Sequence, residues 1–134
     1  YTFVLIHFFM KRFFFFSLIL FMSSKSYSQH RIVDVQEFDS LRNLPQMQKV
    51  DLRTGAEFEV IQGFDDFVSI NCVKKNFLPL AEKNLDKNKP LLVYCMSGHR
   101  SADAVKQLKN VGFKEIYELK GGLIHYYTGK KGKN

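Results

Sequence analysis

Cys95 is the residue of this sequence with the clearest capacity for chemistry. It ends the apolar run at 91–95, and a short loop containing Gly98 separates it from a predicted helix that opens at Arg100. A thiol at that position faces the unpaired N–H groups and the positive end of the helix. Both features favour the thiolate, which is the nucleophilic form of cysteine. We therefore predict that Cys95 is a catalytic nucleophile.

The loop after Cys95 has the composition of an anion cradle. Gly98 gives the backbone the freedom to curve, so that the loop amides can surround the sulfur. Arg100 can close the cradle or meet an anionic substrate. The other reading of Cys95 is a buried cysteine beside an ordinary helix start, and the spacing of Gly98, Arg100 and Ser101 favours the functional one. The predicted loop and substrate-binding residues are Met96, Ser97, Gly98, His99, Arg100 and Ser101.

Alternating strand and helix patterns surround this loop. The run at 91–95 is apolar throughout, as is typical of a central strand covered on both faces. Such alternation predicts an α/β fold with a parallel sheet, in which the loop after Cys95 lies at the carboxyl edge where ligands bind. The predicted strands are 32–34, 49–53, 67–73, 91–95 and 115–119, and the predicted helices are 36–43, 54–60, 77–85, 100–110 and 123–127.

The first 28 residues have the layout of a signal peptide. Lys11 and Arg12 precede an uncharged run at 13–22, and small polar residues lead to a predicted cleavage after Ser28. That run is shorter than the roughly 20 apolar residues that cross a bilayer. We expect translation to start at Met10 and the product to be exported to the periplasm or the outside, without a stable membrane span. The domain is then 29–134.

Composition narrows the class of protein further. The chain has 134 residues, which is the size of one globular domain, and a net charge of +7. Its two cysteines are too few for a disulfide scaffold. Its lysines are dispersed and do not form the clustered basic face of a nucleic-acid-binding protein. We therefore expect no nucleic-acid partner.

Three separated motifs of this sequence resemble those of single-domain rhodaneses. The loop 95–101 is similar to the active-site loop of that family. The segments 50–53 and 57–58 are similar to its Val-Asp-Val-Arg and Glu-Phe signature, and 112–113 with 119–122 resembles its closing Gly-Phe and Leu-x-Gly-Gly pattern. Tyr126 falls where many members carry tryptophan.

The resemblance implies a single doubly wound α/β domain with helices on both faces of a parallel sheet. It implies that Cys95 accepts a sulfane sulfur as a persulfide from a small anionic donor such as thiosulfate. A thiol or cyanide then takes the sulfur, and the chemistry needs no metal or organic cofactor. Asp51 and Arg53 are expected to hold the fold around the site.

Several alternatives stay open at the level of sequence. The stretch 63–69 lacks the family's usual histidine and second glycine, which keeps a non-catalytic binding or redox-sensing module of the cell envelope as a rival. A phosphatase needs one residue more between Cys95 and Arg100, and a Cys–His pair with His99 is a weaker alternative. Cys72 is either a small buried residue or a resolving thiol that pairs with Cys95 in an oxidising compartment.

Overall fold

The computed structural model describes residues 27–131, in which five strands alternate with five helices. The strands are β1 (Gln29–Val33), β2 (Gln48–Asp51), β3 (Val68–Ser69), β4 (Leu91–Tyr94) and β5 (Glu115–Leu119). The helices are α1 (Val35–Arg42), α2 (Gly55–Val60), α3 (Phe77–Asn84), α4 (His99–Asn110) and α5 (Gly122–Lys131). The signal peptide predicted for 1–28 lies outside the described residues, apart from its last two positions.

A single five-stranded sheet organises this part of the chain, with strand order β1-β5-β4-β2-β3. All its pairings are parallel, and β4 lies at the centre, where Val93 is paired with Val50 on one side and Glu118 on the other. Parallel neighbours require crossover connections, which the intervening helices supply. The predicted parallel α/β fold is confirmed.

Two apolar cores lie on the two faces of the sheet. Leu91 and Val93 of β4 point into the core that also contains residues of α3 and α4. Leu92 and Tyr94 point into the core that contains residues of α1 and α5. Because both faces of β4 are covered, its side chains are all buried, and this is why the sequence reads as an unbroken apolar run.

The strand predicted for 67–73 is much shorter in the structure. Only Val68 and Ser69 pair with β2, and both are exposed at the sheet edge. The backbone still follows β2 a little further, since the N–H of Cys72 donates to the Leu52 carbonyl at 3.3 Å. The Asn71 side chain then accepts from the Val73 N–H and turns the chain away. The prediction was wrong in length because a local polar turn interrupts an otherwise apolar segment.

The helices of the described part are all short. The longest, α4, has 12 residues, whereas a helix that crosses a bilayer needs about 20 apolar ones. Over residues 27–131, none of the helices has the length and apolar character required for a membrane span.

Candidate active site

The loop after β4 is held from behind by the start of α5. The carbonyl groups of Cys95 and Met96 accept hydrogen bonds from the N–H groups of Leu123 and Ile124, each at 3.0 Å. Since these carbonyls are paired with α5, the amides of the loop can turn toward the sulfur. Gly98 completes the curve with a left-handed backbone, φ 91°, immediately before α4.

Gly122 makes this close approach possible. A Cβ atom on it would lie 2.6 Å from the Cys95 carbonyl oxygen and 2.7 Å from that of Met96, well inside van der Waals contact. Its backbone is also left-handed, with φ 61°. The Gly-Gly motif of the sequence therefore serves to dock α5 against the loop that carries the thiol.

The Cys95 sulfur lies inside this cradle and is fully buried. The backbone N–H groups of Gly98 and Ser101 donate to it at 3.1 and 3.3 Å. The Ser101 hydroxyl lies 3.4 Å away and accepts from the thiol. Two N–H donors that converge on one sulfur are the contacts that a thiolate or a persulfide anion requires.

Arg100 is directed to a carboxylate. Its guanidinium forms a two-point ion pair with Glu57 at the start of α2, with Nη1 2.7 Å from Oε2 and Nη2 close to Oε1. The Thr54 N–H and hydroxyl donate to the same carboxylate at 2.9 and 2.8 Å. Hydrogen bonding from Arg100 lowers the pKa of Glu57 to about 2. The pair fixes α2 beside the loop 95–101, the sulfur loop.

Asp51 and Arg53 form a buried ion pair beneath the site. Arg53 is completely buried, and its Nε and Nη2 atoms donate to the Asp51 carboxylate at 3.0 and 2.7 Å. The Tyr94 hydroxyl donates to the same carboxylate at 2.5 Å. Because Asp51 ends β2 and Tyr94 ends β4, this network joins the two strands at the residue that precedes Cys95. Burial, followed by the hydrogen bond to Asp51, raises the pKa of Tyr94.

The stretch 63–69 contributes aromatic rings that pack against Tyr94 and Tyr126. The Phe64 ring lies 5.4 Å from that of Tyr94 and 4.9 Å from that of Tyr126, both edge to face. The Tyr126 hydroxyl reaches across to donate to Asp39 on α1 at 2.8 Å. Gly63 leaves room for the buried network, since a Cβ there would lie 2.3 Å from the Arg53 guanidinium. Phe64 and Phe67 of this segment are half-buried and pack against the core that contains Tyr94.

His99 lies on the outside of the loop. Its Nδ1 atom is 3.2 Å from the Ser97 hydroxyl in an exposed contact, whereas the hydrogen bonds of the Cys95 sulfur within the described residues are to Gly98 and Ser101. This placement gives no support to a Cys95–His99 catalytic pair. Met96, the remaining predicted loop residue, contributes its carbonyl to the α5 contact.

Cys72 packs against the core that contains Cys95. It is half-buried, its thiol is free, and burial raises its pKa. A raised pKa leaves less thiolate on Cys72 at neutral pH.

A buried carboxylate at the back of the sulfur loop was missed at the level of sequence. Glu118 of β5 accepts from the Ser101 hydroxyl at 2.5 Å, and its other oxygen lies 2.9 Å from Nε2 of His30. The only available signal was an acidic residue within a predicted buried strand. Within residues 27–131, no group of three or more potential ligands is placed to hold a metal ion.

Comparison with known proteins assigns the family. The model of the rhodanese-like domain matches residues 34–127, which include the sulfur loop and both motifs that flank it. The chain belongs to the rhodanese-like domain family. The match contains each of the site residues described above except His30.

Curated relatives of this rhodanese-like chain carry a different functional name. It is 34% identical over 94 residues to the tRNA uridine(34) hydroxylase of Sodalis glossinidius, covering 68% of this chain and 26% of that protein. It is 31% identical over 112 residues to the tRNA uridine(34) hydroxylase of Pelagibacter ubique, covering 84% and 36%. The rhodanese-like chain thus spans about a third of the length of these relatives.

Solved structures share the fold. A rhodanese-like domain protein from Staphylococcus aureus superposes with a TM-score of 0.61 at 23% identity, covering 72% of this chain and 90% of that one. A rhodanese-related protein from Thermoplasma volcanium gives a TM-score of 0.60 at 23% identity, with 74% and 92% coverage. At this identity the likeness establishes the rhodanese-like fold alone.

Proposed function

We propose that this rhodanese-like chain transfers sulfane sulfur through a persulfide on Cys95. The observation that carries the proposal is the environment of the sulfur, which receives hydrogen bonds from the Gly98 and Ser101 amides. Preorganised N–H donors stabilise negative charge without reorganisation when that charge forms. A persulfide keeps such a charge on its terminal sulfur, close to the same loop.

The chemistry proceeds in two displacements. The Cys95 thiolate attacks the outer sulfur of thiosulfate, the sulfur–sulfur bond of the donor breaks, and sulfite leaves with the bonding electron pair. An acceptor such as cyanide then attacks the terminal sulfur of the persulfide. Thiocyanate is released, and the electron pair returns to Cys95 as thiolate. The overall reaction needs no external oxidant or reductant.

Loop size supports sulfur over phosphate as the group transferred. Four residues lie between Cys95 and Arg100, and the Arg100 guanidinium is already paired with Glu57. A phosphoryl group needs a wider loop and a cation that can contact its equatorial oxygens. The compact cradle and the paired arginine suit a single sulfur atom better.

Mass measurement on the intact protein tests the proposal. After incubation with thiosulfate we expect a gain of one sulfur atom, which cyanide removes. Cys95→Ser abolishes the adduct, and the matched variant Cys72→Ser retains it, because only Cys95 lies in the amide cradle. A wild-type chain that takes no sulfur from thiosulfate or from an alkyl persulfide would contradict the proposal and favour a non-catalytic binding module.

The names of the curated relatives supply a second candidate function. Two relatives that are 34% identical to this chain over 94 and 98 residues are called tRNA uridine(34) hydroxylases, and by analogy the second candidate is modification of a transfer RNA. The test is incubation with a transfer RNA that carries unmodified uridine at position 34, with dioxygen as the oxidant and a dithiol as the two-electron reductant that converts the second oxygen atom to water, followed by nucleoside mass analysis. A gain of one oxygen that depends on Cys95 would favour this function over sulfur transfer to small acceptors.

A further inference from the structure

The proton of the Cys95 thiol has a defined acceptor inside the protein. Because Cys95 is fully buried in the resting cradle, its proton cannot pass directly to bulk water. The two amides around the sulfur are donors, whereas the Ser101 hydroxyl oxygen accepts from it. The thiol proton therefore points toward Ser101.

The hydroxyl of Ser101 continues the chain of hydrogen bonds to Glu118. It lies 2.5 Å from Oε1 of Glu118 and 3.1 Å from the Gly98 carbonyl, and it has one hydrogen to donate. The shorter bond to a carboxylate is the stronger one. The Glu118 side chain is only 4% exposed, so its carboxylate depends on these protein contacts.

His30 connects the buried carboxylate to the surface. Its Nε2 atom lies 2.9 Å from the second oxygen of Glu118, and its side chain is 24% exposed. Glu118 also borders a cavity of about 510 Å³ on the side of the loop that faces β5. Cys95, Ser101, Glu118 and His30 thus form one continuous path from the sulfur to the edge strand β1.

We propose that Glu118 is the proton partner of Cys95 and acts through the Ser101 hydroxyl, with His30 holding it in place. When the thiolate forms, the S–H bond breaks and its proton passes to the Ser101 oxygen. The original Ser101 proton passes to Glu118, and the electron pair stays on sulfur. The buried site then carries one negative charge, on the sulfur. It would carry two if Cys95 and Glu118 were both ionised. This role rests on the proposed function of Cys95 as a nucleophile, and it makes Glu118 a positioning residue.

Three of the elements packed against β5, namely β1, β4 and α4, place polar or titratable groups around Glu118, and these bear on its pH response. His30 comes from β1, Cys95 follows β4, and Ser101 comes from α4. Three further groups border the same cavity: His99 and Asp103 of α4, and Lys120 after β5. Among these, only Ser101 and His30 make hydrogen bonds to the Glu118 carboxylate.

The pH profile of Cys95 alkylation in the full chain tests the proposal. Iodoacetamide is used in a Cys72→Ser background so that Cys95 is the thiol followed. Two coupled groups give a profile with a lower and an upper step. Glu118→Gln removes the negative charge next to Cys95. We therefore expect its alkylation rate to rise in a single step, about one pH unit below the upper step of the wild-type profile. The matched control Glu115→Gln, on the same strand but bonded to Tyr117, leaves the profile unchanged.

Variants of His30 give a second measurement that leaves Glu118 in place. His30→Ala removes the contact that stabilises the carboxylate, which then accepts a proton more readily. We expect alkylation to move toward lower pH, in the same direction as for Glu118→Gln but by less. His30→Gln retains an N–H group and restores the wild-type profile. If Glu118→Gln does not fold, this pair decides the question.

Coincident profiles for wild type and folded Glu118→Gln, or for wild type and His30→Ala, would overturn the proposal. Either result would reduce the network to a structural role. Alkylation does not require thiosulfate, so this outcome is separate from the fate of the proposed function. A chain that shows the coupled profile but takes no sulfur would refute sulfur transfer alone.

Discussion

At the scale of single residues, the pairing of Arg100 with Glu57 changes what the arginine can do. An unpaired guanidinium at the edge of the loop would be expected to bind an anionic donor. Here the two-point pair uses both Nη atoms and joins α2 to the first turn of α4. Arg100 therefore mainly holds the loop in position, and its positive charge is largely balanced by the Glu57 carboxylate.

Removing the Glu57 charge should reduce stability in a way that depends on pH. The folded-state pKa of Glu57 is lowered from 4.5 to about 2, so its contribution is complete above the higher value and disappears as the pH falls toward the lower one. We expect Glu57→Gln to cost about 1 kcal/mol near neutral pH, since the pair is only partly buried. Urea unfolding at neutral and acid pH measures this difference, which should vanish in acid.

The exposed pair between Arg31 and Glu37 provides the matched control. It has the same chemistry and joins Arg31 of β1 to Glu37 of α1 at the surface. Glu37→Gln should leave stability within about 0.5 kcal/mol and persulfide formation unchanged. A Glu57→Gln variant that matched it at every pH would show that the ion pair at the loop contributes nothing.

At the scale of elements, the position of the loop depends on the docking of α5. The first two amides after Gly122 hold the Cys95 and Met96 carbonyls, while α4 supplies the Ser101 amide to the sulfur. The cradle is thus assembled from a strand end and two helix starts. The two helices belong to different apolar cores on opposite faces of the sheet, and β4 contributes side chains to both cores.

Gly122→Ala should disrupt this docking. The added Cβ would meet backbone oxygens at 2.6 and 2.7 Å, and the left-handed backbone is unfavourable for alanine. We expect a loss of about 1–3 kcal/mol of stability and a greater loss of persulfide formation, because the loop must move. Gly55→Ala is the control, since its Cβ would meet nothing within 4 Å and α2 should gain at most about 1 kcal/mol. Equal persulfide yields from the two folded variants would contradict this account.

At the scale of the whole molecule, the first described strand begins where the predicted signal peptide ends. The Ser28 hydroxyl donates to the Phe113 carbonyl at 2.7 Å, and the Gln29 N–H donates to the Lys114 carbonyl. Cleavage after Ser28 would remove the first of these contacts and keep the second. All five residues of β1 would remain in the mature chain, including His30.

Export can be tested by expressing the full sequence in a bacterium and analysing its cell fractions. We expect a product that begins at Gln29 in the exported fraction, because a basic segment precedes the apolar run. Replacing Lys11 and Arg12 by glutamate should retain the uncleaved chain inside the cell. Uncleaved wild-type chain in the cytoplasmic fraction would refute the prediction.

The sequence alone determined the parallel α/β fold and the location of the sulfur loop. These depend on local patterns: the apolar run of β4, the glycine before α4, and the glycine pair before α5. The extent of β3 could not be predicted, because pairing with β2 ends where the Asn71 side chain turns the backbone. The aromatic packing of Phe64 could not be predicted either, because it depends on the relative position of three elements.

Only the tertiary structure decided which polar groups meet behind and beside Cys95. Arg100 reaches Glu57 across 43 positions of sequence, and His30 reaches Glu118 across 88. Such contacts are set by strand register and by the rotation of each helix on the sheet, and both follow from packing of the apolar cores. A sequence read locally predicts the nucleophile, but the polar groups that lie around it are brought there by the fold.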